Sequence, residues 1–204
     1  MCSSRSHWCA LLALVILVGS LGGCTAVREV ANLRKVQFAI DRVANPQLAG
    51  IDISKFESYE DLRATDVLRL GSALSDGKLP LVFTLHLEAT NPQSNDANAR
   101  LTEMDWILLL EDKETVSGRF QQEVVLPPGE PTDIGLNIEL DLARFFDENL
   151  PSLVNLASAI AQDKPPQTVK LQVQPTVRTA FGRFQYPSPI TVVSKEVGRS
   201  PPQP

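Results

Sequence analysis

Three cysteines and two histidines carry the soft-nucleophile, metal-ligating and near-neutral acid–base capacity of this 204-residue chain. Cys2, Cys9 and His7 lie with Arg5 at the N-terminus, around and before an unbroken apolar run from Ala10 to Val18 that leads into Leu21-Gly22-Gly23-Cys24. The run is about half of what a helix needs to cross a hydrocarbon core of roughly 30 Å, so it reads as a cleaved export signal over residues 1–23 and not as a membrane span. Processing leaves one thiol, Cys24, and one imidazole, His86. No disulfide can then form within the chain, even in an oxidising compartment. Zinc sites built from several Cys or His ligands are excluded, as are Cys-His and Ser-His-Asp mechanisms that do not use His86.

His86 falls on the polar side of an alternating segment, in a row with Thr84 and Glu88, where a carboxylate could orient an imidazole as a general base. A solvated outward histidine is the more economical reading, and no Gly-x-Ser-x-Gly elbow supplies a nucleophile. Two carboxylate groups, Glu57 with Glu60 and Asp61, and Asp105 with Glu111 and Asp112, could offer oxygen ligands to calcium. Neither has the spacing of a calcium loop, so helix capping and turn chemistry are expected of them. No catalytic residue, metal or cofactor is assigned.

Leu21-Gly22-Gly23-Cys24 resembles the lipobox of bacterial lipoproteins in all four positions. The resemblance implies lipid attachment at Cys24, as a thioether-linked diacylglycerol on the first residue of the mature protein. Two acyl chains, at on the order of 0.8 kcal/mol per buried CH₂, suffice for stable anchoring. Thr25 in place of an aspartate implies onward transfer to the outer membrane of a didermal cell, so the expected location is the envelope, facing the periplasm. The expected partner is the membrane, through that anchor.

The chain has 24 acidic and 19 basic residues, a net charge of −5, and loss of Arg5 makes it one unit more negative. The charges are interspersed, which argues against nucleic acid as a partner. After a tether over residues 24–32, most of the chain reads in twos. Val36, Phe38 and Ile40 alternate with Gln37, Ala39 and Asp41; Asn45-Pro46 marks a turn; Ile51 and Ile53 resume the alternation, which predicts an opening hairpin. Ser58 precedes an acidic first turn, and Val67, Leu70 and Leu74 predict an amphipathic helix over 60–74, ended at Asp76-Gly77. Leu81, Phe83, Leu85, Leu87 and Ala89 form one face of the clearest half-buried strand, which Asn91-Pro92 terminates.

Met104, Trp106, Leu108 and Leu110 predict an inward row, Trp106 being a core residue, and Glu111-Asp112-Lys113 the turn into a strand carrying Val116 through Val124. Pro127-Pro128-Gly129 closes it before Ile134, Leu136, Ile138 and Leu140. Apolar residues from Leu142 to Ile160 take helical spacing, divided at Pro151, and are expected to lid one end of the domain. Val169 to Val177 and Phe181 to Val193 read as the last strands, followed by a disordered proline-rich tail at 195–204. Turn signals at intervals of about ten residues favour a mainly β fold, an antiparallel sandwich over residues 33–194 with two short helical insertions.

An ordered set of local features resembles the late embryogenesis abundant type 2 family, or WHy domain. Its pieces are the Leu81–Ala89 strand running into Thr90-Asn91-Pro92, the Ala99–Leu110 strand, Ser117-Gly118 within the Val116–Leu126 strand, and Pro127-Pro128-Gly129. Gly77-Lys78-Leu79-Pro80-Leu81, Gln174-Pro175-Thr176 and Tyr186-Pro187 are similar to bacterial lipoprotein members, and the resemblance covers most of Leu33 to Val193. Gln93 stands where the family has a second asparagine, so no role transfers to that side chain. The resemblance implies an immunoglobulin- or fibronectin-III-like sandwich without a catalytic constellation, linked to desiccation and stress responses. Two functions follow as expectations: a non-enzymatic envelope lipoprotein whose sandwich binds or shields a protein or lipid, or a carrier holding a hydrophobic ligand under the 142–160 helices. A hydrolase using His86 is a third.

Overall fold

The computed structural model describes residues 36–95, 98–110, 113–145, 150–162, 169–179 and 182–192. Cys24, the tether and the C-terminal tail lie outside them. The strands are β1 (Gln37–Leu48), β2 (Ile51–Asp52), β3 (Pro80–Thr90), β4 (Ala99–Leu110), β5 (Lys113–Phe120), β6 (Val124–Leu126), β7 (Pro131–Asp141), β8 (Val169–Thr179), β9 (Gly182–Gln185) and β10 (Ile190–Val192). The helices are α1 (Ala64–Ser75), α2 (Leu142–Phe145) and α3 (Leu150–Ala161), with a single 3-10 turn at Tyr59–Asp61.

Alternation along β3 buries Leu81, Phe83, Leu85, Leu87 and Ala89 to 4% exposure or less. Each large side chain among them contributes about 1.5–3 kcal/mol on leaving water. Ile134, Leu136, Ile138 and Leu140 of β7 face the same way, and β3 pairs β7 antiparallel without a register shift. One sheet thus has the order β2-β1-β3-β7 and the other β10-β8-β4-β5, with β6 on β4 and β9 on β8. Their inward rows, including Met104, Trp106, Leu171 and Val173, merge into one hydrophobic core, and the fold is the expected mainly β antiparallel sandwich.

The element boundaries depart from the sequence reading in places with local causes. Asn45-Pro46 is not a turn but an irregularity within β1, where Asn45 takes a positive φ of 53° and the register to β3 slips between Ala44 and Gln47. The reversal comes at Ala49-Gly50, both with positive φ, as a two-residue hairpin twisted like its strands requires. The predicted 60–74 helix is split. Ser58 caps only the 3-10 turn, closing a reciprocal box with Asp61; Leu62 and Arg63 are extended, and α1 restarts at Ala64 with Asp66 accepting from the Arg63 N–H. Gly77, at φ 70°, ends α1 as expected. The 142–160 stretch is two helices as expected, and Pro151 lies in the first turn of the second, α3, where its missing N–H costs nothing. Residues 121–123 interrupt the predicted 116–126 strand, and Tyr186 through Pro189 interrupt the last one.

Both crossings between the sheets around β4 are fixed by one buried asparagine. Asn91 donates its amide to the Leu126 carbonyl at 2.8 Å, and its own carbonyl accepts from Gly129 N–H at 2.7 Å. The Asn-Pro turn leaving β3 is thereby tied to the Pro-Pro-Gly turn entering β7. Among the helices, α3 packs on β1, α1 and the 3-10 turn, where Asn155 accepts from the Tyr59 N–H at 2.8 Å.

Candidate functional site

Three strands bring a charged cluster together on the outer face of the first sheet. His86 of β3 lies between Arg42 of β1 and Gly135 of β7 in the ladder, and Asp133 is one outward position further along β7, opposite Glu88. An irregularity in β1 decides which residue meets the histidine. Ile40 pairs with Leu87 facing the core; without an extra residue Asp41 would then stand opposite His86 and Arg42 would turn inward. Asp41 is that extra residue, so Arg42 lies outward.

His86 Nδ1 is 2.8 and 2.9 Å from the two Asp133 carboxylate oxygens and 3.1 Å from Arg42 Nη2. One ring nitrogen cannot serve both at once. Protonated at Nδ1 it donates to Asp133; bare at Nδ1 it accepts from Arg42. Arg42 has a second partner in Asp41, whose hydrogen bond, with the Asp133 charge nearby, raises the guanidinium above its usual range. Although outward, the His86 side chain is only 17% exposed. Gly135 stands opposite it without a side chain, and a Cβ there would meet His86 Cε1 only at ordinary van der Waals contact, 3.9 Å.

Of the residues expected in the row, Thr84 does not reach the imidazole. Its hydroxyl donates to Asn137 Oδ1 at 3.2 Å, so the arrangement is an oriented imidazole whose hydrogen-bond partners among the described residues are an aspartate and an arginine. Arg42 and Asp133 were invisible in the sequence, being 44 and 47 positions from His86. Pairing β3 with β7 on their apolar alternation would have suggested Asp133, whereas nothing local in β1 announces the extra residue at Asp41.

The carboxylates weighed for calcium have other duties. Asp61 accepts from the Glu57 and Ser58 N–H groups at 2.7 and 2.9 Å. Asp105, on the outer face of the second sheet, accepts from Arg119 and from Gln185 at 2.8 Å, and its bond raises Arg119 above the usual guanidinium range. Glu111 and Asp112 lie outside the described residues. Among the described residues no group of three or more His, Cys, Asp or Glu side chains is placed to hold a metal ion. Cys24 also lies outside them, and no described helix is long and apolar enough to cross a membrane.

No protein-family profile matches the chain, and no characterised protein matches it in sequence. Among solved structures, the chain is similar to a protein from Bordetella pertussis assigned as ApaA, with 13% identity over 79% of this chain and 96% of the other at a TM-score of 0.34. It is also similar to a protein assigned as late embryogenesis abundant, with 13% identity over 94% and 91% of the two chains and a TM-score of 0.33. A protein from Archaeoglobus fulgidus is 11% identical over 55% of this chain and 86% of the other, at a TM-score of 0.30. At such scores none of these likenesses carries an argument about what this chain does.

Proposed function

We propose that the chain is a lipid-anchored protein of the bacterial envelope whose sandwich is a non-enzymatic binding or protective module. The observation that carries this reading is Leu21-Gly22-Gly23-Cys24 at the end of an apolar run too short to span a bilayer. An anchored module of this kind acts through its surface. The outer face of the first sheet, where Arg42, His86 and Asp133 meet, offers one such surface. The protective version rests on the resemblance of residues 79–140 to the stress-linked family, and a deletion strain should then lose viability or envelope integrity on drying.

Cys24→Ser tests the anchor. The parent chain should incorporate labelled palmitate and fractionate with membranes, and the variant should do neither; identical processing and fractionation of the two would end the proposal. A second reading, a carrier of a hydrophobic ligand, takes the buried apolar face of α3, Leu153, Val154 and Ala157, as a lid over the sandwich. Native mass spectrometry of protein extracted from membranes separates the two, since a carrier should retain a ligand mass.

A further inference from the structure

The edge of β7 is the most regular open edge among the described residues. Eleven consecutive pairs join it to β3 with no register shift, from Thr90 with Pro131 to Pro80 with Asp141, and no strand among the described residues pairs with its other side. The opposite side of that sheet is treated differently: β1 is irregular at two places and is partly covered by β2. In the second sheet β5 is an edge whose ladder to β4 slips at Leu108 and Leu109. β5 approaches β7 across the sandwich but is not hydrogen-bonded to it. An unbroken row of backbone groups facing outward is a template for another strand unless it is blunted.

Side chains on β7 say which strand would fit. Ile134, Leu136, Ile138 and Leu140 are buried in the core, so an added strand meets Asp133, Gly135, Asn137 and Glu139, all exposed, on the outer face. Two of these are carboxylates and none is cationic; Asp133, half-exposed, also meets His86 and Arg42, Glu139 has no ion pair among the described residues, and Gly135 leaves an opening between them. A second copy of β7 is a poor occupant in the register centred on Leu136, which would set Asp133 against Glu139 of the other copy twice, like charges directly opposite one another being destabilising. The register centred on Gly135 escapes that repulsion but offers neither carboxylate a cation, which a basic segment does.

We propose that the β7 edge docks an extended polypeptide segment carrying lysine or arginine at alternate positions, which joins the first sheet as a further strand. Backbone hydrogen bonds would hold the segment, and its cations would lie over Asp133 and Glu139, the division of labour found when peptides extend sheets. This deepens the binding reading above by naming the partner's chemistry. It does not depend on the anchor, so a Cys24→Ser chain released from the membrane should bind equally well.

The test is fluorescence anisotropy of the full chain with a dye-labelled alternating lysine–threonine nonapeptide, against a lysine–proline nonapeptide of equal charge that cannot donate from every other residue. The first should bind saturably and at least tenfold more tightly than the second, and should slow amide exchange across residues 131–141. Asp133→Lys combined with Glu139→Lys should weaken it at least tenfold. Glu139→Lys alone, away from the His86 cluster, should weaken it at least threefold with the melting temperature unchanged. Equal binding of the two cationic peptides, binding indifferent to both charge reversals, or a concentration-dependent dimer of the peptide-free chain that disappears on reversal would each overturn the proposal.

Discussion

Gly118 and Trp106 form the contact in this sandwich with the least tolerance. They are partners in the β4–β5 ladder, and the indole lies across the glycine so closely that a Cβ at position 118 would stand 2.2 Å from Trp106 Cζ2 and 2.6 Å from Cε2. The aromatic ring therefore covers backbone that a bare glycine would leave open, and the glycine is required by that approach rather than by its backbone angles. Gly118→Ala should lower stability by about 1–3 kcal/mol through overpacking, read as a lower urea midpoint at unchanged slope. In a Trp106→Leu background the same alanine should cost less than about 0.5 kcal/mol, because the clashing atoms are gone, and the difference between backgrounds measures the contact. Additive losses would show that the indole has room to move. By contrast, the ion pairs of Arg42 with Asp41 and Asp133 stand in solvent, where screening and side-chain entropy leave them little to contribute.

β1 shows how one inserted residue governs a whole element. With Asp41 present, Ile40 faces the core while Arg42 faces out to His86. Deleting Asp41 removes the irregularity but leaves Ile40 opposite Leu87 and Arg42 opposite His86, so both halves of the strand keep their facings. Deleting the ladder residue Ala39 instead forces a choice, either Val36 and Phe38 turning out of the core or Asp41 turning into it, and should lower the melting temperature by more than deleting Asp41 does. Equal effects would mean that β1 re-registers freely. The same strand marks the limit of what was legible from sequence. β3 and β7 could be read directly because strict alternation leaves a single register that buries one face. β1 could not, because an extra residue obeys no period and the positive φ of Asn45 mimics a turn signal. α1 was placed but its start was not, since Ser58 caps a turn that ends at Leu62 before the helix proper begins. The charged cluster was half legible: His86 was singled out with Thr84 and Glu88, while its actual partners come from strands whose pairing only the assembled sheet defines.

At the scale of the molecule, both sheets and all three described helices contribute to a single core, α2 through Leu142. Leu70 of α1 and Leu153, Val154 and Ala157 of α3 belong to the same buried cluster as Leu85, Leu108, Leu136 and Val173. Shared burial couples these parts, because no layer can leave without exposing apolar surface of the others. The chain has two tryptophans, Trp8 and Trp106; removal of residues 1–23 leaves Trp106, 6% exposed between the sheets, as the sole indole reporter. Its emission should shift to the red in one urea transition whose midpoint coincides with the loss of secondary structure followed by far-ultraviolet circular dichroism. If α3 were a loosely docked lid, helical signal would instead fall first, at lower denaturant, with the Trp106 emission unchanged. The Asn155 bond to Tyr59 and the Gln162 bond to the Phe56 carbonyl argue against that order, since they fasten both halves of α3 to the segment joining β2 and α1. Coincident transitions would thus establish α3 as part of the core, and a carrier function would then require the sandwich itself to open for its ligand.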